Sequence, residues 1–225
     1  MKAPANAAHN MLDRMIEGPD CTDTARGTLL QVRSEVEKVV TRTRNLLFYS
    51  DLANGHQLVP RMEVFKGIEV YKLVHISVWH ANLANKAKGL VFWVDENSFE
   101  PLQDQDVMLD KDLFEQAYQN VLDNAGRYSM RGSVIKVVCR AVPGECWSVS
   151  IINKGVSLSR GEAVRCMEPE WRSDRAKLTS AGTGTGLYVV DQCMRAQGGA
   201  LDVCPTNEAG ETNFGLRLPW LKRDL

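Results

Sequence analysis

Glycines and threonines alternate in the stretch SAGTGTGLYVVDQCMRAQGG, which occupies residues 180–199. Because glycine carries no side chain, it lets the backbone approach an anion closely. The helix-compatible residues that follow place free N–H groups and the positive end of a helix dipole beside these glycines. The stretch therefore favours a phosphate site. A plain glycine-rich turn is the alternative, and no Gly-Lys-Ser/Thr follows as in a Walker loop.

Two amide side chains, Asn120 and Asn124, lie one turn apart on a predicted helix and share one of its faces. A carboxamide oxygen is a hard, neutral ligand that suits Mg²⁺ held mainly by phosphates and waters. The next turn offers Arg127 and Tyr128 to phosphates or a ribose. The alternative interpretation is a polar, solvated helix face.

A third polar position, Asn153, follows an apolar strand and precedes a turn at Gly155. An amide at a strand end, beside a glycine that permits close approach, can bind the edge of a base such as the amino group of adenine. An ordinary exit from strand to turn is the alternative.

A long helix with an apolar seam is predicted over residues 28–51. Its seam positions recur in steps of three and four, and they are Leu29, Val32, Val36, Val39, Thr43, Leu46 and Ser50. A second helix-compatible segment, residues 6–17, precedes it and stops at Gly18-Pro19-Asp20. Such a hairpin buries little of its own seam, so we expect a dimeric four-helix bundle; packing on the rest of the chain is the alternative.

Strand-like and helix-like segments alternate in the remainder of the chain. Helices are predicted over 68–88, 110–128 and 186–196, and strands over 57–65, 90–95, 133–141, 147–153, 200–205 and 212–218. Two pairs of adjacent late strands imply antiparallel pairing with helices on one face, which is an α+β fold. Residues 157–181 have the weakest period and are rich in arginine, as expected for a mobile basic lid over a ligand.

Composition excludes several classes of protein. The chain has 225 residues, 44% of them hydrophobic and 24% charged, which is ordinary for a soluble globular protein. No apolar run approaches the ~18 residues of a membrane span, so we expect no membrane segment in this chain. A net charge of −1 gives no global field that favours nucleic acid. The six cysteines lack metal-ligand spacing and are expected to be reduced.

Taken together and in this order, the motifs resemble the ATP-binding domain of sensor histidine kinases, the fold shared with the gyrase B and MutL ATPase domains. Four stretches resemble, in turn, the asparagine box, the first glycine box, the lid and the second glycine box: NVLDNAGRYS, NKGVS, MEPEWRSD and GTGTGLYVVDQCMRAQGG. The stretch RNLLFYSDLANGHQL is similar to the end of the second dimerisation helix, so the resemblance covers nearly the whole chain.

The resemblance implies a role for each motif residue in binding Mg-ATP. Asn124 would supply a Mg²⁺ ligand, and Asn120 would stand where hydrolytic members keep a general-base carboxylate. Asn120 and Arg127 are the expected catalytic residues, and Arg127 and Tyr128 would contact nucleotide. Asn153 would meet adenine, which Gly155 would allow to approach. The triphosphate would be wrapped by Gly182, Thr183, Gly184, Thr185, Gly186 and Leu187.

Three positions depart from the family pattern. Asn153 replaces the usual aspartate, and a neutral amide that can turn over is expected to bind adenine more weakly. Ser157 replaces a glycine, which restricts the hinge of the lid. Met167 and Glu170 replace lid phenylalanines, so lid closure is expected to depend on Trp171 or Arg172.

The N-terminal stretch MKAPANAAHNML is similar to the segment just after the phosphoacceptor, with Pro4 in the place of the proline of His-Glu-x-x-x-Pro. That alignment places the acceptor histidine two residues before Met1. His9 is the alternative acceptor, although no proline follows it in the family position.

The expected protein is a cytoplasmic fragment of a sensor histidine kinase. It would contain a truncated dimerisation hairpin, residues 1–54, and an α/β-sandwich ATP-binding domain, residues 55–225. By resemblance it would form a homodimer, transfer the γ-phosphoryl group of ATP to a histidine and serve a response regulator. One alternative is a nucleotide-binding or dimerising module without kinase activity. A gyrase-like ATPase is disfavoured because the Asn120 amide cannot activate water.

Overall fold

The computed structural model describes residues 11, 12, 14–16, 18, 22–142, 144–180 and 182–220. The chain divides into two compact units, Met1–Phe48 and Tyr49–Leu225. The predicted division into 1–54 and 55–225 stays a prediction. The interpretations of Pro4 and His9 lie outside the described residues. Among the described residues, no helix is both long enough and apolar enough to cross a membrane.

The first unit is dominated by helix α1, Asp23–Ala53, which continues into the second unit. This helix contains the predicted segment 28–51 and extends it at both ends. The described part of the earlier segment, residues 11, 12 and 14–16, is also helical. Seam positions Val32, Val39 and Leu46 are 45%, 61% and 50% exposed in the single chain. The apolar stripe of α1 therefore remains largely open to solvent.

The second unit alternates strands and helices. In chain order its elements are β1 (Glu63–Lys66), α2 (Gly67–Asn85), β2 (Val91–Val94), α3 (Glu100–Gln103), β3 (Asp106–Leu109), α4 (Lys111–Tyr128), β4 (Val134–Val142), β5 (Cys146–Lys154), α5 (Arg160–Arg165), α6 (Asp174–Thr179), α7 (Gly186–Ala196), β6 (Ala200–Cys204) and β7 (Glu211–Pro219). Short 3₁₀ turns occupy Lys86–Lys88 and Glu96–Phe99.

A five-stranded sheet organises this unit, in the order β2-β4-β5-β7-β6. Strand β2 pairs parallel with β4, and the other three pairings are antiparallel. Strands β1 and β3 form a separate antiparallel pair. The predicted antiparallel pairing of the late strands and the mixed α+β class are confirmed.

The core lies where α4 packs against β5. Alternate residues of β5 face the helices, and Trp147, Val149 and Ile151 are fully buried. The ring of Phe114 on α4 lies 5.6 Å from that of Trp147, measured between centroids. Burying side chains of this size stabilises the fold by about 1.5–3 kcal/mol each. Asn153 is the next member of the same alternation, so the strand carries this amide to the helix-facing side.

The N-terminus of α4 is fixed by a buried carboxylate. Asp110 is the N-cap, and its Oδ1 accepts from the Leu113 N–H at 3.0 Å. Its backbone N–H donates to Oε1 of Gln197, which directly follows α7, at 2.8 Å. The start of α4 is thus tied to the end of α7, and the start of α7 lies beside the second half of α4.

The structure differs from the predicted elements in three places. The strand expected over 57–65 begins only at Glu63, and β3 was not predicted because its four residues pair only with the distant β1. The segment expected to be an irregular lid contains two short helices, α5 and α6. The cysteines at described positions are free, as predicted.

Candidate functional site

The junction of α4 and α7 brings Asn120 and Asn124 to the second glycine segment. A Cβ built on Gly186, the first residue of α7, would lie 3.8 Å from both Asn120 Oδ1 and Asn124 Nδ2. Asn120 is buried, and its Nδ2 donates to the carbonyl of Gln116 at 3.0 Å. That bond orients the Asn120 oxygen toward the N-terminus of α7.

The N-terminus of α7 offers backbone donors. Its N-cap, Thr185, is buried and makes no side-chain capping bond to the first turn of the helix. The hydroxyl of Thr185 is 2.7 Å from that of Thr183 instead. The first N–H groups of a helix have no partner within it, and together with the helix dipole they favour an anion. Backbone donors are therefore available at Gly186 and Leu187, and phosphate binding there stays a prediction.

Arg127 lies against the same loop. A Cβ on Gly182 would be 2.7 Å from Nη1 of Arg127 and 3.8 Å from Cζ of Arg172. Two guanidinium groups therefore flank Gly182, and both carry a positive charge at neutral pH. Tyr128 contributes its backbone, whose carbonyl accepts from the Val156 N–H at 3.0 Å.

Arg172 connects the lid to the glycine loop. Its Nη1 donates to the Gly182 carbonyl at 3.1 Å, and its Nη2 donates to the Ala176 carbonyl at 2.7 Å and to that of Ser180. Its Nε is buried and has no hydrogen-bond partner among the described residues. Lid closure was predicted to depend on Trp171 or Arg172, and this geometry gives Arg172 direct contacts with the loop.

The backbone of the lid also packs on Gly184. This glycine has φ +77°, and a Cβ there would lie 2.6 Å from the Glu170 carbonyl carbon. Glu170 itself has φ +62°, a left-handed conformation that is rare for residues other than glycine. Strained backbone of this kind costs about 1–3 kcal/mol, so the surrounding contacts must hold Glu170 in place.

The lid helices are capped by their own residues. Ser159 Oγ accepts from the Glu162 N–H at 3.3 Å, and Glu162 Oε2 accepts from the Ser159 N–H at 2.8 Å, forming a capping box. The backbone N–H of Ser159, followed by its hydroxyl and with a smaller contribution from Arg175, lowers the pKa of the Glu162 carboxylate. Several basic side chains expected on the lid have local acidic partners, such as Arg175 with Glu162 at 3.0 Å.

The other end of the site is built around Asn153. This residue is 5% exposed, and its Nδ2 donates to Oγ of Ser129 at 3.1 Å. Because the amide nitrogen is engaged, the amide oxygen is the atom available as an acceptor. Ser129 directly follows α4 and was not singled out by sequence, since nothing in the local pattern indicates a partner 24 residues away.

The first glycine segment packs on the end of α4. A Cβ on Gly155 would lie 2.0 Å from the Tyr128 carbonyl oxygen, and Gly155 forms an isolated β-bridge with Ser129. In this structure the close approach at Gly155 is made by the backbone of α4. The glycine is therefore required by packing, whether or not a ligand also approaches it.

A threonine pair next to Asn153 was also missed by sequence. Thr212 lies opposite Asn153 in the register of β5 and β7, and it is 2% exposed. Its hydroxyl is 2.7 Å from that of Thr206, which in turn accepts from the Leu158 N–H at 2.7 Å. This chain of bonds connects the base of the lid to β7, the strand that pairs with β5 at Asn153.

The possible metal ligands of the site suit a cation that binds together with phosphates. Among the described residues, no group of three or more histidine, cysteine, aspartate or glutamate side chains could hold a metal ion. The polar groups at the start of α7 are amides, and amide oxygens are acceptable Mg²⁺ ligands when phosphates and waters supply the rest.

Known proteins resemble this chain in sequence and in fold. It is 33% identical over 117 residues to the sensor protein CzcS of Cupriavidus metallidurans, covering 52% of this chain and 24% of that relative. It is 24% identical over 222 residues to the sensor-like histidine kinase SenX3 of Mycobacterium tuberculosis, covering 98% of this chain and 52% of that relative. The chain therefore spans only part of the length of these relatives.

A solved structure shares the fold. ShkA, whose crystal structure was determined at full length in complex with AMPPNP, superimposes with a TM-score of 0.65 at 20% identity, covering 98% of this chain and 44% of that chain.

The family model of histidine kinase-, DNA gyrase B- and HSP90-like ATPases matches residues 109–222. That span runs from the end of β3 to beyond β7, and it includes both asparagines of α4, Asn153 and the loop before α7. The chain therefore belongs to this ATPase family, and it carries the ATP-binding core of a sensor histidine kinase.

Proposed function

We propose that this chain binds Mg-ATP and transfers the γ-phosphoryl group to a histidine in cytoplasmic two-component signalling, and that a response regulator then receives it. The observation that carries the proposal is the convergence of Asn120, Asn124 and Arg127 on the loop and helix that begin at Gly182. In phosphoryl transfer, positioning and charge neutralisation supply most of the catalysis. These side chains, with the N-terminus of α7, offer both.

Adenine is proposed to bind at Asn153. The bond from Nδ2 to Ser129 leaves the amide oxygen as the acceptor for a ligand. The exocyclic amino group of adenine is a hydrogen-bond donor that suits this oxygen. Guanine carries a carbonyl at the equivalent position and would face the same oxygen unfavourably. The AMPPNP complex of ShkA supports an adenine nucleotide as the ligand.

The triphosphate is proposed to lie along residues 182–187, with Arg127 and Arg172 neutralising its charge. Mg²⁺, when bound, would neutralise further phosphate charge. Asn124 would hold it through its amide oxygen, as the family pattern implies. Asn120 orients the site through its bond to Gln116. A neutral carboxamide does not take a proton from water near neutral pH, so Asn120 is not a general base, which disfavours simple ATP hydrolysis.

A kinase-inactive module that binds nucleotide and acts through conformation is the second candidate. The specific observation in its favour is the neutral Asn153 in place of the family aspartate. Charge-assisted hydrogen bonds are roughly twice as strong as neutral ones. We therefore expect a weaker adenine site, which suits a protein that senses nucleotide and turns over little ATP.

Homodimerisation through α1 is the proposed assembly. The exposed seam residues Val32, Val39 and Leu46 supply an apolar stripe that a second copy would cover. We expect light scattering to give a dimer at tens of micromolar and Val39→Lys to shift it toward monomer. Arg42→Ala, an exposed change on the same helix outside the seam, is the control and should leave the dimer intact. A monomeric parent chain would contradict the assembly.

Calorimetry of Mg-ATP binding tests the site itself. Asn124→Ala removes the proposed ligand, and Asn124→Asp places a charge beside the phosphates; each should weaken binding by about 1–3 kcal/mol. Gln119→Ala is the matched control, since it removes an amide from a different face of α4. Equal affinity in all four proteins would refute the site.

Incubation with γ-labelled ATP separates the two candidates. A kinase reaction gives a label on histidine that is labile in acid and stable in base. The family alignment predicts that His9 is not the acceptor, so a label that His9→Gln removes would overturn that alignment. Nucleotide binding with no transfer to any histidine, including one in an added chain that carries a His-Glu-x-x-x-Pro segment, would favour the inactive module.

A further inference from the structure

A groove of about 430 Å³ opens between α2 and β2, with none of the residues proposed to bind nucleotide in its lining. Small-molecule and peptide side-chain sites commonly have volumes of about 300–1,000 Å³. Four residues define what is here named the tryptophan groove: Trp79 on α2, Trp93 on β2, and Asp95 and Glu96 just after β2.

Large aromatic side chains flank this groove without being covered. Trp79 is 55% exposed and Trp93 is 49% exposed, whereas Val78, Phe92 and Val94, which form the apolar floor of the lining, are nearly buried. The floor is therefore already packed against the core, and the two tryptophans contribute little to it. Exposed aromatic side chains around an apolar floor are typical of recognition surfaces.

The groove has a negative rim. Glu96 is 67% exposed, and its Oε1 lies 3.8 Å from Nε2 of His75, which lines the groove together with Asp95 and Glu96. Within the part of the chain that the structure describes, neither Asp95 nor Glu96 forms an ion pair with a lysine or an arginine. The rim therefore favours a cationic occupant and repels phosphates of nucleic acid or anionic lipid.

At the centre of the free edge of β2, the backbone groups are not available to pair with an added strand. Asn82 donates from Nδ2 to the Phe92 carbonyl at 2.9 Å, and its Oδ1 accepts from the Phe92 N–H at 2.8 Å. One side chain thus satisfies both backbone groups that an incoming strand would use. Because strand addition needs those groups, a partner must enter the groove by its side chains.

We propose that the tryptophan groove docks a segment of a partner protein that presents an arginine flanked by apolar residues. The guanidinium would stack on an exposed tryptophan and pair with Glu96 or Asp95. Arginine suits this site better than lysine because its planar, weakly hydrated group both stacks and binds carboxylates in bidentate fashion. The chain contains this kind of contact internally, with Arg165 Cζ 5.4 Å from the centre of the Trp171 ring.

NMR titration of the indole N–H signals tests the proposal. The probe is the capped peptide acetyl-Gly-Leu-Arg-Leu-Gly-amide, added to the full chain. The expected result is a saturable shift of the Trp79 and Trp93 signals, with the signal of buried Trp147 unchanged. Absence of a shift at both tryptophans up to millimolar peptide would overturn the proposal.

Two sets of controls isolate the charge. Replacing arginine by citrulline keeps the shape but removes the charge, and it should weaken binding about threefold to tenfold. Glu96→Gln should weaken binding of the arginine peptide, and Glu96→Lys should weaken it more. Glu208→Lys, an exposed change outside the groove, should leave binding unchanged. Equal binding of the citrulline peptide, or no effect of either Glu96 variant, would show that the groove does not recognise a cation.

Discussion

The two glycine segments of the nucleotide site have different neighbours. A side chain on Gly155 would meet the main chain of Tyr128 at 2.0 Å, whereas one on Gly182 would first meet Nη1 of Arg127 at 2.7 Å. The first contact is between two backbones joined by the sheet and α4. The second is with the far end of a flexible side chain. The proposed adenine end is thus part of the packed core, and the proposed phosphate end contacts a side chain that can rearrange around a ligand.

The same contrast appears in the polar groups. Asn153 and Thr212 are nearly buried on paired strands, so their positions follow from the register of β5 and β7. Arg172, in contrast, holds the loop through bonds from one side chain to carbonyls of the lid and the loop. We therefore expect base recognition at Asn153 to depend on the stability of the sheet, and phosphate binding at residues 182–187 to depend on the lid.

Gly155→Ala should have the largest effect, on stability. The added methyl group has no room beside the Tyr128 carbonyl, so the free energy of unfolding should fall by about 3 kcal/mol. Chemical denaturation followed by circular dichroism measures this. Gly161→Ala, on lid helix α5 with nothing within 4 Å, is the control and should be neutral or slightly stabilising. Similar stability of the two variants would show that Gly155 is not required by packing.

Arg172→Gln should weaken Mg-ATP binding about tenfold while changing global stability little. It removes bonds that tie the glycine loop to the lid, each worth about 0.5–1.5 kcal/mol net. Hydrogen exchange should rise in residues 166–184, and calorimetry should report the loss of affinity. The matched change Arg175→Gln breaks only an exposed pair with Glu162 and should have little effect on either measurement. If both variants behave alike, Arg172 does not connect lid and loop.

Asn153→Asp should produce the smallest change, a gain of ATP affinity of about 0.5–1 kcal/mol. A carboxylate accepts from the adenine amino group more strongly, and the Ser129 hydroxyl can donate to it where it now accepts from the amide. Discrimination against GTP should also increase. Competition binding with ATP and GTP measures both, and Asn207→Asp on the β6–β7 turn controls for the added charge. No gain in ATP affinity would mean that the amide is not the weak element of the adenine end.

Local spacing determined much of what was correctly predicted. Steps of three and four residues predicted α1 and placed Asn120 and Asn124 on one face of α4, and an apolar stretch between glycines predicted α7 from Gly186 to Ala196. Apolar strands ending in polar residues predicted β5 and the late antiparallel pairs. These features depend on helix and strand periods, which a sequence displays directly.

Only the tertiary structure decided which residues meet across elements. The bond between Asn153 and Ser129, the bonds of Arg172 to lid and loop carbonyls, and the pairing of β1 with β3 each join segments whose separation no period encodes. The requirement for glycine at position 155 likewise depends on the tertiary structure, because the end of α4 packs directly against it. Such contacts depend on how helices pack on the sheet, and packing depends on the shapes of many distant side chains at once. The sequence alone therefore determined the elements and their motifs, and tertiary packing decided the partners that hold the site together.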